Sequence, residues 1–453
     1  RCWGAAVMTG SADCDVRLRF RPDGTFRVLQ LADVQDGPDV SRRAIMLIEA
    51  AVKRADPDLV VLTGDQIRGY DPAFERTYVN RRGDAPGAPL PPGVRTEAKM
   101  ARVGKCVRGL LHRHNTGAAS DPVEEEDTET KVMRCLSGFL GPIVSRGIPF
   151  AVTYGNHDFQ CGVPLERQDE LYRAFDGCLN PVDSLEPGTF GLTIDAHDGR
   201  QTAMGVMMVN SGDFAADGGY GSPSDDAVAW LGDVVKDVGA PSVVFQHIPP
   251  PEIYDCLVPV GRFTTNAIRG YRAHSGTCYV LDQEHSKPGS ALREHPCCSE
   301  HNSGEVRAMK NAGGYFALFC GHDHTNSFIT HHDGLDMGYT PTCGFTSYGP
   351  RGKDHALRVF EFHESDPASY TTELLDYGDL LGWVPPRALQ HTFGDRALCD
   401  AGCIGDMLRK PSVRAALGVM GAVGAAAFGV VWHRLQDRPQ SFPISEGAPG
   451  GGH

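Results

Sequence analysis

The sequence predicts an α/β fold built around parallel strands, on three observations. Two short apolar runs, FRVLQLA (Phe26 to Ala32) and LVVLT (Leu59 to Thr63), flank a helical pattern within about 40 residues, and strand, helix, strand at that spacing is a βαβ unit with a parallel pair buried on both faces. Further apolar runs of strand length recur along the chain. Five of these runs end in a short polar cluster, the arrangement expected where an open α/β sheet binds ligands at the carboxyl ends of its strands.

The elements follow in order. Phe26 to Ala32 is bounded by the turn-forming PDG, and the helical pattern from Val40 to Arg54 starts at Ser41 and stops before Asp56-Pro57. Residues 71–128 read as an insertion: Pro and Gly crowd residues 83–93, a basic helix-like stretch spans Lys99 to His114, and Glu124 to Asp127 reads as a solvated helix start. Lys131 to Arg146 predicts a helix and PFAVTY (Pro149 to Tyr154) a third strand. Ala203 to Val209, Ser242 to Phe245 and Tyr315 to Cys320 predict three more.

Composition sets the outer bounds. A chain of 453 residues that is 41% hydrophobic is neither disordered nor collagen-like and can bury a sizeable core. Its net charge of −14 with no long Lys/Arg block argues against a general nucleic-acid or anionic-membrane binder. Phosphate chemistry then requires carboxylates that hold metal ions. Fourteen cysteines without a C-x-x-C pair write neither a zinc ribbon nor a thioredoxin-like site, and are compatible with disulfides or with buried thiols. Arg1 in first place, with no charged-then-apolar segment behind it, reads as a processed form or a fragment.

Composition shifts near Leu381. Residues 382–414 read as a linker, and AALGVMGAVGAAAFGVVW (Ala415 to Trp432) runs for 18 uncharged residues before a flexible Gly/Pro tail at 433–453. As a helix that run would extend roughly 27 Å, close to a thin hydrocarbon core. Its Ala and Gly content fits a packed or interfacial helix equally well, so membrane association through 415–432 and helix packing are both open.

The five polar clusters are Asp33-Val34-Gln35, Gly64-Asp65, Gly155-Asn156-His157-Asp158, Gln246-His247 and Gly321-His322-Asp323-His324. Carboxylates, amide oxygens and imidazoles are hard or borderline metal donors. Residues two apart at a strand end point to one side, so Asp33 with Gln35, and His322 with His324, can each face one cavity. No G-x-S-x-G elbow and no P-loop is present, so the chemistry does not rest on a side-chain nucleophile of those kinds.

The ordered set D-x-[HQ], GD, GNHD, H and GHxH resembles the calcineurin-like metallophosphoesterases, which include the purple acid phosphatases. The likeness is greatest to the branch around the yeast dosage-dependent cell-cycle regulator phosphatase, plant purple acid phosphatase 29 and their bacterial relatives. It rests on LTGDQIRGY, GIPFAVTYGNHD, VFQHIPPPE, GHDHTNSF and GYTPTCGFTSYGPRGKDHALRVFEF, and covers residues 26–381, leaving 1–25 as an N-terminal extension. The resemblance implies two mixed β-sheets packed as a sandwich flanked by helices, a four-layer αββα fold. It also implies two divalent ions, of Mn, Fe, Mg or Zn. Asp33, Gln35, Asp65 and His324 would bind one ion, and Asp65, Asn156, His247 and His322 the other, with Asp65 bridging. His157 would act on the phosphate as transition-state stabiliser or acid, with Asn156 as a further substrate contact; read from the residues alone, Arg68 is either a phosphate contact or a surface or ion-pair arginine.

Two positions depart from the wider family. Gln35 stands where most members have His, and its amide oxygen is a weaker donor that favours Mn, Fe or Mg over Zn. Arg68 stands where purple phosphatases place their chromophoric tyrosine, with Tyr70 two residues on, so no purple Fe(III)–tyrosinate centre is expected. Two cations about 3.5–4 Å apart can clamp phosphoryl oxygens while a bridging hydroxide attacks in line. The resulting expectation is a phosphatase acting on a phosphorylated small molecule or phosphoprotein. The alternatives are a phosphodiesterase using the same site and a weakened phosphoesterase-fold binding or regulatory protein.

Overall fold

The computed structural model describes residues 7–8, 17–95, 126–382 and scattered positions between 405 and 421. In chain order the strands are β1 (Val7–Met8), β2 (Thr25–Leu31), β3 (Leu59–Thr63), β4 (Phe150–Thr153), β5 (Phe190–Asp195), β6 (Thr202–Met208), β7 (Ser242–Phe245), β8 (Leu257–Val260), β9 (Ile268–Arg269), β10 (Cys278–Leu281), β11 (Tyr315–Cys320), β12 (Ile329–His332), β13 (Leu335–Tyr339), β14 (Ala356–His363) and β15 (Thr371–Asp376). The helices are α1 (Arg42–Ala55), α2 (Thr128–Val144), α3 (Leu165–Arg173), α4 (Asp225–Val238), α5 (Glu305–Ala312) and α6 (Tyr377–Leu381).

Two mixed sheets form the body. One has five strands in the order β15-β14-β2-β3-β4, and the other seven in the order β1-β5-β6-β7-β11-β13-β12. The predicted βαβ unit is present, with β2 parallel to β3 and β3 parallel to β4. On the other sheet β6, β7, β11 and β13 run parallel in succession. A small three-stranded sheet, β8-β10-β9, lies apart from both.

Side-chain alternation shows how the layers stack, because successive residues of a strand point to opposite faces. Phe26, Val28, Leu59 and Val61 join Val243, Phe245, Ala317 and Phe319 in one core between the sheets. The intervening Leu29, Leu31, Val60 and Leu62 pack with Leu47, Ile48, Leu136 and Phe139 of α1 and α2. Val244 and Leu318 of the second sheet pack with Leu231, Val234 and Met309 of α4 and α5. The result is helix, sheet, sheet, helix, the four-layer αββα sandwich the sequence implied.

Local signals explain most boundaries. Buried Ala44, Leu47, Ile48, Ala51, Val52 and Ala55 make one face of α1, which ends where Asp56 turns left-handed ahead of Pro57. Ser41 stands at the start of α1 but makes no side-chain capping bond. Asp127 caps α2, with its carboxylate accepting from the Thr130 N–H at 2.7 Å. In α4, Ser224 caps the start, Asp225 and Asp226 lie in the first turn, and Gly239 ends the helix at φ 65°. Leu18 and Phe20, ahead of β2, are buried in the core between the sheets. All nine cysteines among the described residues are free thiols, eight of them buried.

The stretch Lys99 to His114 lies outside the described residues, as does most of Ala415 to Trp432. No helix among the described residues is long and apolar enough to cross a membrane.

Phe360 of β14 sits across the sandwich from Phe245 and Phe319, at ring-centroid distances of 5.8 and 4.3 Å. Phe360→Ala is expected to destabilise the fold by about 3–5 kcal/mol. Denaturant unfolding should show a lowered midpoint with the far-ultraviolet dichroism of the native state retained.

Candidate metal centre

Every predicted donor sits just past the carboxyl end of a strand, and the two sheets contribute different chemistry. Asp33 and Gln35 follow β2, Asp65 follows β3 and Asn156 follows β4, so the five-stranded sheet carries the oxygen donors. His247 follows β7, and His322 and His324 follow β11, so the seven-stranded sheet carries the imidazoles. All seven residues are buried.

The sheets meet through these side chains. His247 Nε2 lies 3.3 Å from Asp65 Oδ2, and His324 Nε2 lies 3.3 Å from Asp33 Oδ1. His322 Nδ1 approaches His247 Nε2 at 3.2 Å, and Gln35 Nε2 approaches Asp65 Oδ2 at 3.3 Å. Asp65, His247 and His322 each present a ligand atom within 4.8 Å of the other two, enough to hold a cation. Four buried atoms of the set make no hydrogen bond: Gln35 Oε1, Asn156 Oδ1, His322 Nε2, and Asp33 Oδ1, which has only the 3.3 Å approach of His324 Nε2. Buried polar atoms are ordinarily satisfied, so this concentration of unsatisfied donors in one place fits a metal centre.

The backbone here is bent for proximity. Asp33 (φ 53°), Gln35 (φ 41°), Asp65 (φ 52°) and His322 (φ 73°) all adopt left-handed conformations, which are costly for non-glycine residues and concentrate at functional sites. The i, i+2 geometry expected of extended strand ends therefore does not hold: the donors converge through left-handed turns, not through strand pleating. Two glycines give the turns room. A Cβ on Gly64 would lie 2.6 Å from the His247 ring, and one on Gly155 would lie 2.3 Å from Asp65 Oδ1.

Outer partners aim the donors. His247 Nδ1 pairs with the Thr63 carbonyl at 2.8 Å, which directs Nε2 to Asp65. His324 stacks on Tyr348 at a centroid distance of 4.0 Å, and its Nδ1 meets the Tyr348 carbonyl. Asp33 Oδ2 accepts from the His322 N–H at 2.9 Å. The segment after β13 closes over the first loop: Thr342 Oγ1 donates to Asp33 O at 2.6 Å and Thr346 Oγ1 to Gln35 O at 2.7 Å.

Asp158 is the residue that the reading of the motifs undervalued. Its carboxylate accepts from the N–H groups of Asp65 (2.8 Å), Ile67 (2.9 Å) and Gly155 (2.8 Å), joining the loops after β3 and β4. The signal was the last letter of GNHD. Cys297 and Asp323 were missed as well: both are buried and form a second close group with His322. Asp323 lay within GHDH, but nothing local marks Cys297, which arrives from a distant loop.

His157 and Arg68 lie beside this cluster. The His157 N–H donates to Asp65 Oδ1 at 2.7 Å, and its Nδ1 pairs with Gln160 Oε1 at 2.7 Å. Arg68 is buried and ion-paired with Asp71 at 3.4 Å, with its guanidinium over the Tyr70 ring. Tyr70 in turn meets the His157 ring edge-on at 4.7 Å.

Charge couples the two sheets. Burial would raise the Asp65 carboxyl, but the charge on His247 holds it well below the carboxylate range. Burial likewise disfavours the charged His247 ring, yet Asp65 outweighs it and raises that group to about 9. His322 is pushed the other way, by burial and then by the charge of His247.

These features define a metal-binding αββα sandwich. Residues 26–326 match the calcineurin-like phosphoesterase family model, and the chain belongs to that family. It is 22% identical over 390 residues to the probable inactive purple acid phosphatase 28 of Arabidopsis thaliana, covering 76% of this chain and 77% of that one. The probable inactive purple acid phosphatase 29 of the same plant is 21% identical, at 76% and 78% coverage. Among solved structures, a dimetal phosphatase from Danio rerio is similar at 12% identity and a TM-score of 0.40, covering 78% of this chain and 99% of that one.

Two outcomes are expected. A cation needs the neutral imidazole of His247, so a proton must leave as metal binds. Because this proton is held up to about pH 9, apparent metal affinity should rise with pH until about 9, and calorimetry in buffers of different ionisation enthalpy should record proton release at pH 7. Asp158→Ala leaves three backbone N–H groups without their acceptor and is expected to lower stability by about 2–4 kcal/mol, measurable as a fall in Tm of the metal-free protein.

Proposed function

We propose that this protein hydrolyses phosphate esters at a dinuclear metal centre. Asp33, Gln35, Asp65 and His324 would hold one divalent ion and Asp65, Asn156, His247 and His322 the other, with Asp65 shared. The observation that carries this reading is the group of four buried, unsatisfied donor atoms, all belonging to the predicted ligands, in a chain of the calcineurin-like phosphoesterase family. The oxygen-rich half around Asp33 and Gln35 favours Mn, Fe or Mg. When bound, such a pair supplies charge neutralisation at the phosphoryl group and activation of water for in-line attack.

The remaining work falls to this chain's own residues. Gln160 Nε2 donates to the Asn80 carbonyl at 2.9 Å, which turns Gln160 Oε1 towards His157. That oxygen can only accept, so the proton of the neutral His157 ring sits on Nδ1 and Nε2 is the atom offered for catalysis. Once protonated, Nε2 can donate to a phosphoryl oxygen or to the departing ester oxygen. The Asp65 carboxylate accepts from the His157 backbone N–H, and the loop that carries Asn156 is held by the Gly155 N–H on Asp158.

A binding or regulatory role is the second reading, and one feature favours it. Gln35 places a neutral amide, a weaker donor than imidazole, where most of the family has His. The relatives from Arabidopsis thaliana carry the word inactive in their names, which accords with a weak site.

Turnover of aryl monoester and diester substrates by the Mn-loaded protein decides between the two. Asp65→Asn is expected to abolish turnover. His157→Ala should lower kcat by about 10²- to 10⁴-fold, with a larger loss on an alkyl phosphate than on p-nitrophenyl phosphate, whose leaving group needs no proton. Stoichiometric metal binding without turnover of any ester would leave the binding role standing.

A further inference from the structure

A buried thiol stands beside His322, outside both ligand sets assigned above. Cys297 Sγ, a ring nitrogen of His322 and a carboxylate oxygen of Asp323 lie within 4.8 Å of one another, and all three residues are buried. His322 Nδ1 faces His247 Nε2 at 3.2 Å. Its Nε2 is buried and makes no hydrogen bond.

The thiol is brought there by a loop fastened to the segment after β11. Cys297 lies between β10 and α5, and its N–H donates to the Asp323 carboxylate, at 3.1 Å to Oδ2 and 3.3 Å to Oδ1. Asn326 reaches back to the same loop. Its Oδ1 accepts from the N–H groups of Arg293 at 2.9 Å and Glu294 at 3.1 Å, and its Nδ2 donates to the Glu294 carbonyl at 3.1 Å. The Thr325 N–H donates to Glu294 Oε1 at 2.7 Å, and the Tyr254 hydroxyl to the Pro296 carbonyl at 2.9 Å. These bonds fix residues 293–297 against residues 323–326, so the three donors are gathered before any ion arrives.

We propose that Cys297, His322 and Asp323 form a zinc position that competes with the dinuclear centre for His322. One thiolate, one imidazole and one carboxylate match zinc, which takes such donors tetrahedrally and can complete its shell with water. The sulfur sets this position apart from the oxygen-rich half around Asp33 and Gln35, because thiolate selects zinc over Mn or Mg. A neutral imidazole carries a lone pair on one ring nitrogen and a proton on the other, so His322 serves one ion at a time. Occupancy of the zinc position therefore withdraws a ligand from the second ion of the dinuclear centre, and the two affinities are reciprocally coupled. The competition rests on the dinuclear reading above, whereas the fit of the three donors to zinc does not.

The test uses the full chain, loaded with Mn and then given one equivalent of zinc. X-ray absorption at the zinc edge should show one sulfur at about 2.3 Å beside nitrogen and oxygen. Paramagnetic resonance should record free Mn rising as zinc is added, with the apparent Mn dissociation constant raised about 10-fold. Cys297→Ser should remove the sulfur and weaken zinc binding by at least about 10-fold, while Cys298→Ser, which changes the neighbouring thiol, should keep both. Nitrogen and oxygen alone around the zinc of the unsubstituted protein would overturn the proposal, whatever the variants do. So would a sulfur that persists in Cys297→Ser protein with native far-ultraviolet dichroism. Sulfur-bound zinc with no release of Mn would overturn the competition. Sulfur-bound zinc in a chain that takes up no Mn would overturn the dinuclear reading and leave the zinc position standing.

Discussion

Everything at this centre depends on two sheets being packed so that the carboxylates of one lie against the imidazoles of the other. The Asp65–His247 and Asp33–His324 pairs, each at 3.3 Å, span the seam. Of the seven predicted donors, the five-stranded sheet offers oxygens and the seven-stranded sheet offers ring nitrogens. The core between them, with Phe360 set against Phe245 and Phe319, is what fixes their separation. Close packing transmits small displacements, so the position of a donor here is a property of the whole sandwich.

Holding like and unlike charges in a buried space has a cost that the surrounding loops offset. Four of the donors sit in left-handed backbone, and several buried donor atoms lack a protein partner. Against this stand the three N–H groups gathered by Asp158 and the hydroxyls of Thr342 and Thr346 on the Asp33 loop. Strain of this kind persists where the surroundings over-determine the conformation. A bound cation would relieve the same groups, since it satisfies carboxylate, amide and imidazole together and displaces the proton shared near Asp65 and His247.

Much of the fold was legible because its local and global preferences agree. LVVLT, SVVF and YFALFC are strands with the bounds their apolar runs indicate. Other elements went unread although their signals were there. Ser224, the acidic pair after it and Gly239 bracket α4, while β14 carries the alternation Val359, Phe360, Glu361, Phe362 with Phe360 and Phe362 turned into the core. The two-residue strand β9 and the edge strand β12, with its exposed His331, hold too little periodicity to be found without their partners. The candidate donor positions stand out in the sequence because each follows a strand in a short motif. Their supports were not: Tyr348 acts on His324 from more than twenty residues away, and Thr342 on Asp33 from more than three hundred.

The sequence by itself determined the chemistry on offer: which donors exist, that each closes a strand, and that glycines at 64 and 155 leave space beside them. Those are properties of residue type and of neighbours along the chain. Only the tertiary structure decided how the donors are divided between two sheets, which carboxylate faces which imidazole, and that Cys297 lies beside His322. These are long-range relations, set by the interlocking of side chains between layers, and no local periodicity encodes them.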